Sequence, residues 1–192
     1  FCSNDWFKTR RLPDSGGSMK KTIAVMATTL LFACAEPVPF EESFRAALET
    51  AQPGDVIEIP AGTFSFDRSL IMNTDGVTIR GQGMDASVLS FKGQLAGAEG
   101  LSVSASDFTI EDLAIEDAIG DALKVNEGSN IIIRRIRTEW TNGPDVNNGA
   151  YGIYPVQTTN VLIEDNVAIA ASDAGIYVCL LYTSDAADDL VG

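Results

Sequence analysis

Phe108-Thr109-Ile110-Glu111-Asp112, Ile131-Ile132-Ile133-Arg134-Arg135 and Val161-Leu162-Ile163-Glu164-Asp165 are one strand written three times. Val77-Thr78-Ile79-Arg80-Gly81 is an earlier copy, and the steps between copies are 31, 23 and 30 residues. A second strand recurs in the same phase: Leu101-Ser102-Val103, Leu123-Lys124-Val125, Ile153-Tyr154-Pro155 and Ile176-Tyr177-Val178, at steps of 22, 30 and 23. Two strands returning together about every 22 residues, with insertions of about 8, describe successive coils of a parallel β-helix.

Working outward, Val56-Ile59, Thr63-Phe66, Ser69-Met72, Val77-Ile79 and Val88-Phe91 read as further short strands, each bounded by turn residues. Turns, not helices, separate them, which favours a coiled parallel sheet over a βαβ fold. Before them, Glu41 to Ala51 has helical spacing, with Phe44, Ala47, Leu48 and Ala51 on one face. A solenoid must cover its first coil, so a helix over 42–51 is expected as the cap. The fold class is all-β, three strands per coil from about Asp55 onward.

Stacking the copies sorts side chains by direction. Ile79, Ile110, Ile133 and Ile163 form one inward column, and Leu101, Leu123, Ile153 and Ile176 another. Leu113, Ile136 and Asn166 follow three residues after the first column, with Asn166 expected at a turn as a stacked amide. Arg80, Glu111, Arg134 and Glu164 share an outward column with alternating signs, and Asp112, Arg135 and Asp165 repeat this beside it. At a coil spacing of about 4.8 Å, such ladders hold register.

The ends read differently from the repeats. Met19-Lys20-Lys21, the apolar run Ile23 to Ala33 and the small residues after it have the order of a secretory signal peptide, too short to span a bilayer. Leu31-Phe32-Ala33-Cys34 resembles a bacterial lipobox, which makes Cys34 the expected lipidation site and the membrane its anchor. Ala33-Cys34-Ala35 also suits ordinary cleavage, which leaves periplasmic or secreted residence as the alternative. Residues 1–18 read as upstream, non-native frame. Cys179 to Asp188 resembles a translated sequencing adapter over ten consecutive residues, so 179–192 is expected to be an artefact tail. The organisation is then 1–18 upstream frame, 19–34 signal and lipobox, 40–178 β-helix domain cut at its C-terminal end, and 179–192 tail.

Composition excludes several chemistries. Histidine is absent, and the three cysteines fall at positions 2, 34 and 179. No disulfide, thiolate metal site or histidine base can be argued for the repeats. Between the signal and the tail stand 8 basic and 22 acidic residues. That surface repels nucleic acid, so no nucleic-acid partner is expected. It supplies carboxylates for calcium, the one cofactor considered. A monomer is expected.

One outward column is not needed for folding: Ser102, Lys124, Tyr154 and Tyr177, edged by Glu99, Asp121, Tyr151 and Ala174. Exposed aromatic rings suit the apolar faces of sugars, and Lys124 suits a sugar carboxylate. The insertion Trp140 to Gly149 would project beside the same face, as binding insertions in solenoids do. The candidate catalytic residues are Lys124, to neutralise a carboxylate, with Tyr154 or Tyr177 as base or acid. Asp121, Trp140, Asp145 and Tyr151 are candidates for binding substrate, and Asp145 or Asp173 for holding Ca2+.

The repeats and the capping helix resemble the right-handed parallel β-helix superfamily of pectate lyases, polygalacturonases and alginate epimerases. The resemblance covers roughly residues 40–178 and looks closest to exported bacterial β-helix lipoproteins. It implies a right-handed coil. The enzymes' site patterns do not transfer: no Asp-Pro-His-Glu motif, no paired-aspartate motif and no matching calcium arrangement occurs in this sequence. Three classes follow. One is an envelope lipoprotein that binds polysaccharide, acidic glycans included, or a surface partner. Another is a polysaccharide lyase or epimerase acting on uronic-acid polymers. The third is a purely structural envelope protein.

Overall fold

The computed structural model describes residues 38–179. They form a right-handed β-solenoid of about five turns behind one short helix. Helix α1 runs from Phe40 to Thr50, followed by β1 (Val56–Glu58), β2 (Gly62–Ser65), β3 (Arg68–Met72), β4 (Thr78–Arg80), β5 (Ser87–Ser90) and β6 (Ala96–Val103). Then come β7 (Thr109–Glu116), β8 (Leu123–Asn126), β9 (Ser129–Glu139), β10 (Tyr151–Val156), β11 (Thr159–Glu164), β12 (Val167–Ile169) and β13 (Ala174–Ile176). Every pairing is parallel, and each strand pairs with its copy one coil away.

Coils one, two and five have the three strands expected. In coils three and four the first two strands run on as one, β7 and β9. The bend there takes a single residue, Asp112 or Arg135, in the left-handed region at φ 61° and 51°. One such residue turns the chain without opening the ladder, so the hydrogen bonding continues through the corner.

The inward columns fall as the repeats require. Ile79, Ile110, Ile133, Leu101, Leu123 and Ile153 are all fully buried. Each buried side chain of this size contributes about 1.5–3 kcal/mol, more than an exposed ion pair at about 0–1 kcal/mol. The core therefore drives coiling, and the charges choose the register. In coil five, Ile176 keeps its pairing with Ile153 yet is 44 % exposed, because no described coil covers its far side.

Helix α1 covers the first coil. It starts at Phe40, earlier than its expected bounds, because Pro39 lies at the N-cap position and accepts from the Ser43 N–H. Phe44 and Leu48 are buried on the core, and Phe40 packs on Phe64 with ring centroids 3.9 Å apart. Arg45 donates to the carbonyls of Ser69 (3.0 Å) and Arg68 (2.8 Å), satisfying part of the edge left open by β3.

The corners are held by polar side chains. Glu111, 2 % exposed, accepts from Arg80 (2.5 Å) and Arg134 (2.6 Å) on the coils either side. The ladder extends beyond its expected members at one end, since Glu58 pairs in register with Arg80. Asn166 does sit at a bend, but it bridges backbone: it accepts from Ile136 N–H and donates to Ile133 C=O. The stacked amides lie elsewhere. Asn160 donates to Asn130, and Asn130 to Asp107, each at 2.7 Å and all three at positive φ.

Candidate functional site

Strands β3, β6, β8, β10 and β13 make one sheet, and its outward face carries the candidate site. Register puts Ile71, Ser102, Lys124 and Tyr154 in one column. Tyr177 continues it, since its N–H donates to Ile153 C=O one residue past the Ile153–Ile176 pair. Tyr151 has the parity of an inward residue. It opens β10 at a corner, opposite Ala174, and its ring lies on the outer face. The three rings touch: centroids are 4.7 Å apart for Tyr151–Tyr154 and Tyr151–Tyr177, and 5.6 Å for Tyr154–Tyr177. Lys124, Tyr151, Tyr154 and Tyr177 thus come together on one face.

Lys124 is already engaged. Its ammonium lies 3.4 Å from Glu99 Oε1 and 5.6 Å from the Tyr154 ring centroid. Glu99 is held in place from behind: Gln94 donates to its carbonyl (2.9 Å), as does the Ser69 hydroxyl. Gln94 is buried, and its own carbonyl accepts from Ile119 N–H at 3.0 Å. No repeat marks Gln94, so only the fold identifies this brace.

Titration of the face follows from its surroundings. Burial pushes the Asp121 carboxyl up, against the pull of Lys124 and the Tyr151 N–H, with Glu99 adding to the rise. Tyr151 is raised by the neighbouring Asp173 carboxylate and by burial. Burial and Cys179 raise Tyr154, and Cys179 raises Tyr177. None of the three phenols is shifted in the direction a general base needs.

One expectation is corrected by position. Trp140 does not stand on the face. It is 4 % exposed in the core, and its Nε1 donates to Ala118 C=O at 2.7 Å. Burial satisfies both the ring and its one polar atom, so it is a packing residue. Asp145 is tied up in its own loop, where Oδ1 accepts from both the backbone and the side-chain nitrogen of Asn147, each at 2.8 Å. Asp173 lies beside Tyr151. Among the described residues no three His, Cys, Asp or Glu side chains gather as a metal site. The insertion returns at the edge of the face, where Ser172 and Asp173 donate to the carbonyls of Gly149 and Ala150. Cys34 lies outside the described residues.

A family model described as a right-handed β-helix region matches residues 59–184, well over half of the chain. Comparison with curated proteins and with solved structures gave no match.

Proposed function

The chain belongs to the right-handed β-helix family, and from that premise we propose that it is an exported envelope lipoprotein that binds polysaccharide on its tyrosine face. The observation that carries this reading is the contact of three phenol rings on two neighbouring coils, turned away from the core. Rings in such a position add nothing to the core, and their flat apolar faces suit pyranose rings. The bound sugar would lie against Tyr151, Tyr154 and Tyr177, with Lys124, Glu99 and Asp121 hydrogen bonding to its hydroxyls. The signal and lipobox pattern ending at Cys34 supports residence at the membrane.

A lyase or epimerase acting on uronic acids is the second reading. The observation in its favour is Asp121, which holds its proton more tightly than an ordinary aspartate and neighbours Lys124. Against it, the tyrosines are raised and the lysine is paired. Titration of the protein with oligosaccharides, followed by product analysis, tests both. Binding without product is the expected result; new unsaturated or epimerised ends would establish the enzyme; no binding to any glycan would remove the proposal.

A further inference from the structure

We infer that the glycan bound on this face carries free amino groups: a hexosamine oligomer lacking its N-acetyl groups. The inference rests on the tyrosine face being the binding surface, and it identifies the sugar.

The charges around the rings are unbalanced. In the strands β6, β8, β10 and β13, Lys124 is the one cationic residue. Its ammonium is held by Glu99 at 3.4 Å and lies over the Tyr154 ring. Asp121 and Asp173 border the same rings, and among the described residues neither has a basic partner within ion-pair distance. A uronate arriving here would meet three carboxylates and a lysine that is already neutralised. Desolvating an anion beside them costs far more than one shared ammonium returns.

An ammonium meets the opposite situation. Each phenol ring presents the negative face of its quadrupole, and the positive charge of an amino sugar is attracted to it. Asp173, exposed beside Tyr151, and Asp121, at the lysine end, offer acceptors on both sides of the rings. The sugar ring would stack while its amine turns to a carboxylate. Stacking supplies the sugar preference and the carboxylates supply the choice of amine.

The test is calorimetric titration of the full chain at pH 6 and low salt with four probes. These are a glucosamine oligomer, its N-acetylated counterpart, a galacturonate oligomer and an oligolysine of matched charge. The expected result is at least tenfold tighter binding of the glucosamine oligomer than of the other three. That margin should shrink on adding salt. In Asp173→Asn, an exposed substitution compatible with folding, it should fall severalfold. Tighter or equal binding of the N-acetylated or galacturonate oligomer overturns the inference and leaves the aromatic platform standing. Equal binding of oligolysine also overturns it, since charge alone would then suffice. Failure of every sugar to bind removes the platform itself.

Discussion

Arg135 stands directly over Asp112 on the neighbouring coil, both in left-handed backbone, joined by hydrogen bonds of 2.7 and 2.8 Å to the two carboxylate oxygens. The same side chain reaches Glu111 at 3.3 Å. Two residues that dislike their backbone conformation are thus tied to each other at the corner where the strand bends. The strain of a non-glycine residue there is about 1 kcal/mol. Arg135→Ala loses the pair and keeps the strain, whereas Arg135→Gly loses the pair and relieves it. Chemical denaturation should therefore rank Ala below Gly by about 1 kcal/mol, with both below the native chain. An equal cost for the two would mean the corner is unstrained.

Acid should weaken the solenoid through its ladder. Burial works against the Glu111 carboxylate, but Arg80 and Arg134 outweigh it and hold its pKa below the ordinary range. Arg135 does the same for Asp112. Groups with depressed folded-state pKa values stabilise fully above their unfolded values of about 4 and lose that contribution as pH falls through the folded ones. The melting temperature should be flat down to about pH 5 and then drop. Glu111→Gln should cost about 2 kcal/mol at pH 7 and make the acid limb shallower. An acid limb as steep as the native one would exclude Glu111 as its source.

Gly149 returns the insertion to the solenoid. A Cβ there would overlap the Gly120 carbonyl and press on the Trp140 ring at 2.6 Å. Both neighbours are fixed, one as backbone and the other by packing. Gly149→Ala should cost about 1–3 kcal/mol, read as a shift in the denaturant midpoint. A shift near zero would show that the insertion re-enters loosely.

Substitutions on the face separate stacking from proton transfer. Tyr154→Phe keeps the ring and should change glycan affinity less than threefold. Tyr154→Ala should lower it about tenfold or more, given about 1 kcal/mol or more per aromatic contact. If Tyr154→Phe abolishes product formation by a chain shown to turn substrate over, the phenol has a chemical role and the binding reading fails.

The lipid anchor is tested separately. In cells expressing the chain from Met19, fatty-acid label should be incorporated and should disappear in Cys34→Ser. Label that persists would place the anchor on another residue.

What the sequence revealed and what it hid divide along one line. Ile79, Ile110 and Ile133 were legible because a coil repeats its own inward residues, and Lys124, Tyr154 and Tyr177 because the same phase points them outward. Glu58 was hidden because Asp55 stands where the other copies begin with an apolar residue, so the kinship to the Arg80 strand appears once Val56 pairs with Thr78. Trp140 reads as exposed because it opens a polar insertion; its burial depends on the Ala118 carbonyl 22 residues away. The Glu99–Lys124 pair crosses columns, a relation that alignment of copies cannot express. The amide ladder at Asp107, Asn130 and Asn160 escaped because left-handed corners leave no periodic hydrophobic mark.

The alternation of Glu58, Arg80, Glu111, Arg134 and Glu164 gives the solenoid a true unit of two coils, although its backbone repeats every one. Duplicating a single coil would set glutamate against glutamate or arginine against arginine at the junction. The Glu111 position would then be crowded by a like charge where it is least hydrated. Duplicating a pair of coils preserves every contact. A gene that lengthens this protein by internal duplication is therefore expected to grow in steps of two coils, and a single extra coil to require a compensating charge reversal beside it.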